Sequence, residues 1–295
     1  WIISKRKILV SPSMPLTLTP LSDLLGVEIA GVDCRVPPLD TAKAVILDAL
    51  FTHQVIVFRD QMLSEEELIA FSEAFGELET HVNQQDGGYA RPNFHTVTNL
   101  DKDGNILPPP APGKEYNGTS SWHSDKSYMP FPSMATFLHG IEVTKEGGET
   151  LFASLTHAYE ALDEDEKARL DELKCVHHWA QSMRNSKSRS ATEEEERLAP
   201  PVTHPLIRTH PETGRKTLYI GSHVQTLHGF NEAEVESLLD FLRDHSIRPE
   251  FTCRVHWEPG TLTLWDNRSV QHHAIADYNE RRRTHRITIC GDTPF

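Results

Sequence analysis

Trp122-His123-Ser124-Asp125 decides how this chain is interpreted, because it predicts two metal ligands on one face of a strand. Successive side chains of a strand point to opposite faces, so His123 and Asp125 would point the same way. An imidazole and a carboxylate, joined by a second imidazole, form the facial triad of non-haem Fe(II) oxygenases. The same four residues also fit a surface strand, since the chain has 17 histidines and a His-x-Asp pair arises readily by chance. The interpretation therefore depends on a third ligand.

The candidate third ligand lies far along the chain, as expected in a jelly roll that brings distant strands together. It is His272, which follows an expected strand and turn at residues 261–269. His273 is the alternative, because neighbouring residues of an extended segment point in opposite directions and only one of them can ligate. Spacing alone does not separate a ligand from a structural or surface histidine.

Two arginines just beyond this segment favour a site for an organic anion. In a strand over residues 282–286, Arg282, Thr284 and Arg286 would share one face. Two guanidinium groups on one face suit a dicarboxylate or a sulfonate, which the planar fork binds bidentately. A solvated basic edge strand is the alternative. A metal with an arginine anchor beside it is what a 2-oxoglutarate enzyme requires.

The composition limits the class of protein. The 295 residues fit one large or two small domains, and the net charge of −14 argues against a nucleic-acid or membrane partner. No apolar run is long enough to span a bilayer, and residues 1–10 lack a signal-peptide hydrophobic region. The four cysteines form no CxxC pair, which is typical of a reducing compartment. We expect a cytoplasmic protein.

The pattern of elements predicts a mainly β fold with added helices (α+β), built on a jelly roll (double-stranded β-helix) and forming one domain over residues 1–295. Alternating or continuous apolar runs predict strands at residues 27–32, 54–58, 136–143, 252–257, 261–265 and 284–290. Caps and apolar spacing predict helices at residues 41–50, 64–76, 163–173 and 231–243. The polar segment 82–121 ends just before the candidate ligands and is predicted to be an active-site lid. A second polar stretch, 182–201, is expected to be mobile.

Several fragments, in this order, resemble the taurine dioxygenase (TauD/TfdA) family of Fe(II)/2-oxoglutarate-dependent dioxygenases, which also includes the aryloxyacetate and alkylsulfate enzymes. The fragments are residues 25–33, 55–61, 75–78, 122–125, 147–150, 204–206, 210–215, 265–268 and 271–272. Each fragment is a weak signal alone, but their joint order is specific and covers most of the chain.

The resemblance implies roles for cofactor-binding residues. His123, Asp125 and His272 would be the iron ligands. Thr150 and Arg282 would bind the distal carboxylate of 2-oxoglutarate.

It also implies roles around the substrate. Arg286 would lie near the substrate anion or assist with the co-substrate, and His81 would contact the substrate. Thr119 stands where the taurine enzymes carry an asparagine, so taurine itself is not the expected substrate.

The resemblance implies an oxidoreductase that uses Fe(II), 2-oxoglutarate and O2. Such an enzyme hydroxylates a small anionic organic substrate of the sulfonate, alkylsulfate or aryloxyalkanoate type and releases succinate and CO2. It also implies a homo-oligomer, either a dimer or a tetramer. A zinc hydrolase with the same ligands and a non-catalytic jelly-roll binding protein are the alternatives.

Overall fold

The computed structural model describes residues 8–9, 15–80, 94–108, 120–186 and 190–295. The strands in these ranges are β1 Ile8–Leu9, β2 Pro15–Pro20, β3 Val27–Ala30, β4 Val55–Phe58, β5 His95–Thr98, β6 Ala135–Glu142, β7 Thr150–Ser154, β8 Lys174–His177, β9 Val202–Pro205, β10 Ile207–Thr209, β11 Lys216–Leu218, β12 Val224–Leu227, β13 Thr252–Val255, β14 Leu262–Asp266, β15 Val270–Ala274 and β16 Arg283–Ile289. The helices are α1 Asp40–His53, α2 Glu65–Glu73, α3 Leu155–Glu160, α4 Glu164–Leu170, α5 Trp179–Ser186, α6 Glu193–Leu198 and α7 Glu232–Ser246.

Two packed sheets form the centre of the molecule. The larger has eight strands in the order β1-β2-β3-β4-β14-β6-β16-β5, and the smaller has the order β13-β7-β15. Side chains from both sheets meet in one core cluster, which includes Val57, Leu138 and Trp265 from the larger sheet and Phe152 and Val255 from the smaller. This two-layer arrangement is the jelly roll that the sequence predicts.

Helices cover the other face of the larger sheet. On β6 and β14, Phe137 and Leu264 alternate with Leu138 and Trp265, so they point away from the smaller sheet and join a second core cluster. Phe71 of α2 meets Phe137 edge to face at 6.0 Å. Both faces of β14 are therefore covered, and all five of its residues are buried.

Three of the helices begin as their sequences predict. Ser64 and Glu67 form a capping box at α2, and Asn231 and Glu234 form another at α7. Asp163 caps α4 by accepting a hydrogen bond from a backbone N–H of the first turn. Local side-chain chemistry at these positions satisfies backbone donors that a helix leaves unpaired.

The polar stretch 182–201, which the composition predicts to be mobile, contains helical structure in its described residues. It contains the end of α5 and all of α6, whose first turn is closed by a capping box between Thr192 and Glu195. The four glutamates at 193–196 form the acidic N-terminal turn of this helix, where negative charge is favourable.

The predicted lid, 82–121, also contains regular structure. Residues 95–98 form β5, which pairs with β16 at the edge of the larger sheet. The middle of the segment therefore belongs to the sheet and not to a loop.

Among the described residues, no helix has the length and apolar character needed to cross a membrane. All four cysteines are free thiols, and three of them, Cys34, Cys175 and Cys253, are buried.

Candidate active site

The two candidate histidine ligands face each other across an isolated antiparallel bridge. The backbone N–H of His123 donates to the carbonyl oxygen of His272 at 3.1 Å, and the reciprocal bond is 2.8 Å. Residues that exchange both backbone bonds in this way carry their side chains side by side. The two imidazole centroids are accordingly 4.1 Å apart. A pairing across 149 positions of sequence thus brings two ligands together.

The strand predicted over residues 122–125 is not formed, although the residues converge as expected. Only His123 makes a bridge, and Asp125 begins a turn in which Lys126 has a φ of +53°. Side-chain contacts replace the ladder, because the Ser124 hydroxyl donates to the carbonyl of Val270 and the amide oxygen of Asn267 accepts from the Asp125 N–H. Asp125 reaches the same site through a turn instead of strand alternation.

His123, Asp125 and His272 offer three ligand atoms within 4.8 Å of one another, and all three residues are buried. Burial lowers the pKa of both imidazoles, so they are neutral at pH 7 with a lone pair to donate. Burial alone would raise the pKa of the Asp125 carboxyl, but Arg286 and the two histidines outweigh it and lower this pKa. The carboxylate is therefore ionised.

This donor set suits a divalent metal. The His123 Nδ1 donates to the carbonyl of Ser121 at 2.7 Å, which leaves its Nε2 on the side of Asp125, 3.9 Å from the carboxylate oxygen Oδ1. The Nδ1 of His272 is buried and has no hydrogen-bond partner among the described residues, so this imidazole is not committed to another group through that nitrogen. His273, the alternative ligand, is half-buried, points the other way and stacks on Trp122 at 5.4 Å.

A buried guanidinium lies in the same cavity as the triad. Arg282 is 6% exposed and sits between the rings of Trp257 and Tyr278, at 5.7 and 5.8 Å from their centroids. Among the described residues, no carboxylate lies within ion-pairing distance of it. Burial lowers the pKa of Arg282, with Tyr278 opposing the shift. A buried cation without a carboxylate partner is costly, so this position favours an anion.

Thr150 lines this cavity with Arg282 and the metal ligands. Its hydroxyl oxygen accepts a hydrogen bond from the indole N–H of Trp257 at 3.1 Å. An indole can only donate, so the Thr150 proton remains available to another acceptor.

Arg286 lines this cavity and also a second one of about 320 Å³. Its Nη1 lies 3.3 Å from Oδ1 of Asp125, and its buried Nε has no partner in the described part of the chain. Apolar and aromatic side chains, including Tyr128, Trp179 and Leu198, line the second cavity. Arg282 lies one residue before β16, but both arginines reach the site as the shared-face prediction implied.

His81 and Thr119, the two residues predicted to contact substrate, lie outside the described residues.

The sequence interpretation missed the aromatic residues around Arg282 and the hydroxyl of Thr136, which bonds to Asp125. Thr136 lies two residues before the inward-facing Leu138, so both side chains point to the inner face of the sheet. A polar residue at an inward-facing position was the one sign in the sequence that Thr136 serves the site. Tyr278 lies in an irregular segment and carries no such signal.

A jelly roll with a buried His/Asp/His triad and an anion-binding arginine defines the class of non-haem-iron oxygenases that use an oxo-acid co-substrate. Residues 17–288 match the family described as taurine catabolism dioxygenase TauD, TfdA family. The chain belongs to this family and is an Fe(II)/2-oxoglutarate-dependent dioxygenase. The zinc hydrolase and the non-catalytic binding protein are therefore set aside.

Characterised relatives and solved structures agree with this assignment. The chain is 34% identical over 283 residues to a (S)-phenoxypropionate/alpha-ketoglutarate-dioxygenase of Sphingobium herbicidovorans, covering 93% of this chain and 95% of the relative. It is 32% identical to the alpha-ketoglutarate-dependent 2,4-dichlorophenoxyacetate dioxygenase of Cupriavidus pinatubonensis, covering 95% and 99%. The crystal structure of AAD-2 with Mn(II) and N-oxalylglycine superimposes with a TM-score of 0.85 at 32% identity, covering 95% and 98%.

Proposed function

We propose that His123, Asp125 and His272 hold Fe(II), and that Thr150 and Arg282 bind the distal carboxylate of 2-oxoglutarate. Arg286 binds the anionic group of the organic substrate. When bound, the iron would supply the oxidising chemistry that converts O2, 2-oxoglutarate and the organic substrate into succinate, CO2 and the hydroxylated substrate. The observation that carries the proposal is that an unpaired, buried Arg282 lines the same cavity as the three ligand side chains.

Thr150 and Arg282 act by orientation. The Trp257 indole fixes the Thr150 oxygen and its ring also flanks Arg282, so one side chain orders both anchors. A carboxylate between them receives a hydroxyl donor and a guanidinium fork. The remaining carboxylate and keto oxygen of the co-substrate then face the ligand triad.

Arg286 lines both cavities, which supports a role for it between co-substrate and substrate. The other cation of the second cavity, Lys126, is already paired with Glu79 at 2.8 Å. The Arg286 guanidinium lies farther from its carboxylate neighbour, at 3.3 Å from Asp125, and it reaches both cavities, which favours it as the partner of an anionic substrate. The apolar and aromatic lining beside it suits the body of an aryl or alkyl group.

This chemistry matches what the relatives are named for. Besides the phenoxypropionate and dichlorophenoxyacetate enzymes, they include an alkylsulfatase of Acinetobacter baylyi and an alpha-ketoglutarate-dependent sulfate ester dioxygenase of Pseudomonas putida. We propose a substrate that joins one anionic group to an apolar body: an aryloxyalkanoate, an alkylsulfate or an alkylsulfonate.

The direct test is succinate release from the Fe(II)-loaded enzyme over these three substrate types, each offered beside its neutral amide or ester counterpart. We expect turnover with at least one anion and at least about 10-fold less with its neutral counterpart, because a charged hydrogen bond contributes about 1.5–3 kcal/mol. Arg286→Gln should abolish this preference. Arg283→Gln is the control, since Arg283 lies on the same strand and pairs with Glu142. Equal turnover of anion and neutral counterpart would contradict the role of Arg286.

Other expectations from the sequence stand as proposals of the same kind. They are a single catalytic domain over residues 1–295, a lid within residues 82–121, substrate contacts from His81 and Thr119, a homo-oligomer of two or four subunits, and a cytoplasmic location. The free thiols support the last of these. Sedimentation equilibrium tests the oligomeric state, and a monomer at micromolar concentration would contradict it.

A further inference from the structure

We propose that Thr136 and Asn267 form a positioning relay that holds the Asp125 carboxylate in the orientation in which one oxygen accepts from Thr136 and the other faces the metal. The inference rests on the metal-binding role proposed above. Neither residue touches the reacting atoms, so both act through Asp125. The ligand side chains would contact the metal and the two relay residues would not, although all five residues are buried.

The hydrogen bonds of the relay have a defined direction. The amide oxygen of Asn267 accepts from the indole N–H of Trp265 at 2.9 Å and from the backbone N–H of Asp125 at 3.2 Å. Both of these groups can only donate, so the orientation of the amide is determined. Its NH₂ group therefore donates to the hydroxyl oxygen of Thr136, at 2.8 Å.

The orientation of the Asn267 amide also determines where the hydroxyl proton of Thr136 points. Because its oxygen accepts from Asn267, its single proton is directed to Oδ2 of Asp125, at 2.6 Å. Oδ2 is thereby occupied. The other oxygen, Oδ1, lies 3.9 Å from Nε2 of His123 and 3.3 Å from Arg286. Turning the carboxylate plane away from this orientation would break the bond from Thr136, which is the shortest of the network.

The base of the relay is rigid. Asn267 lies in the turn between β14 and β15, and its backbone N–H donates to the carbonyl of Met134. The preceding residue, Asp266, is fully buried and bonded to both Arg268 and His210. Thr136 is paired with Trp265 in the sheet register. Strand pairing and a buried ion pair thus hold both members in place.

The test is Co(II) binding to the metal-free protein, which needs neither co-substrate nor substrate. Thr136→Val keeps the side-chain shape and removes the hydroxyl. We expect its Co(II) affinity to fall by about 10- to 100-fold, the usual effect of losing a partner of a ligand, and its visible d–d bands to change with the carboxylate geometry. Thr136→Ser, which keeps the hydroxyl, should bind Co(II) within about 3-fold of the wild type.

Asn267→Asp tests the other half of the relay. Aspartate keeps acceptors for Trp265 and for the Asp125 N–H, but it cannot donate to Thr136. An added negative charge near a cation would by itself strengthen metal binding. The relay predicts the opposite, a loss of about 10-fold, because the Thr136 hydroxyl is no longer directed to Asp125.

Thr288→Val is the matched control. Thr288 lies directly opposite Thr136 in the sheet, is fully buried and has a hydroxyl without a partner in the described structure. Its Co(II) affinity should equal that of the wild type. Equal affinity in the wild type, Thr136→Val and Asn267→Asp would overturn the relay, and so would an equal loss in Thr288→Val. A wild-type protein that binds no Co(II) would contradict the proposed metal site itself.

Discussion

Arg282 and Arg286 lie four positions apart but have different environments. Arg282 is almost fully buried between two aromatic rings and has no carboxylate partner among the described residues. The Arg286 side chain is 21% exposed, lies against Asp125 and reaches a second cavity. Because their burial and neighbours differ, we assign Arg282 to the co-substrate and Arg286 to the organic substrate.

The two arginines should therefore affect different kinetic constants. Arg282→Gln should raise the KM for 2-oxoglutarate by about 10- to 100-fold, because a charged hydrogen bond to a carboxylate is lost. It should change the KM for the organic substrate far less. Arg281→Gln is the control, since Arg281 is half exposed and pairs with Glu142 outside the cavity. The measurement is steady-state kinetics with 2-oxoglutarate and the organic substrate varied in turn. An equal rise in both KM values would contradict the assignment of Arg282 to 2-oxoglutarate alone.

At the scale of the elements, a close backbone approach holds the first ligand segment. Gly221, just before β12, has a φ of +144°, and the neighbouring Ser222 N–H donates to the carbonyl of Trp122. A Cβ at position 221 would lie 3.3 Å from the Cα of His123 and from the carbonyl oxygen of Trp122. Only glycine allows both this conformation and this contact.

Gly221→Ala should consequently displace His123 and weaken Co(II) binding by about 10-fold, since ligand placement controls affinity. Gly214→Ala is the control, because Gly214 also has a positive φ but a Cβ there would meet nothing within 4 Å. Both variants should lose roughly 1 kcal/mol of unfolding free energy from backbone strain. Titration calorimetry with Co(II) distinguishes the two variants, because only Gly221→Ala should show a lower affinity. Unchanged affinity in Gly221→Ala would show that the approach has no role in the site.

The elements also show how far sequence patterns lead. Period-two alternation and capping boxes predicted β6, β14, α2 and α7, because these signals are local. The turn at Asp125 was not predictable, since it depends on bonds from Ser124 and Asn267 to distant residues.

At the scale of the whole molecule, the three ligand residues were predictable from the sequence, but the residues that contact and orient the side chains of the site were not. The order of the family fragments indicated His123, Asp125 and His272 before any pairing was known. The contacts of Thr136 with Asn267 and of Arg282 with Trp257 depend on strand register and on how the two sheets pack. Such contacts between distant segments leave no local pattern in the sequence.

The many buried histidines make the stability of the whole fold depend on pH. Burial lowers the pKa of His177 well below its usual value, and burial with His139 and Arg283 lowers that of His285 to about 4. Below pH 6.5 the unfolded chain binds protons that the folded chain does not, so stability should fall as the pH decreases from 6.5 towards 4. Each such histidine contributes up to about 1.4 kcal/mol per pH unit.

Urea unfolding of the metal-free protein between pH 7 and 4.5 measures this dependence. His285→Gln should make it less steep, whereas His256→Gln, at an exposed position, should leave it unchanged. A free energy of unfolding that stays constant over this range would contradict the neutral, buried state of these histidines.

The most direct test of the proposed site is the visible absorption of the protein with Fe(II) and 2-oxoglutarate under anaerobic conditions. If the triad holds iron and Arg282 and Thr150 orient the co-substrate, chelation produces a weak charge-transfer band. His123→Ala should abolish it. Arg282→Gln should require about 10- to 100-fold more 2-oxoglutarate to reach the same absorbance. Absence of the band in intact wild-type protein, or a band of full intensity in His123→Ala, would contradict the site.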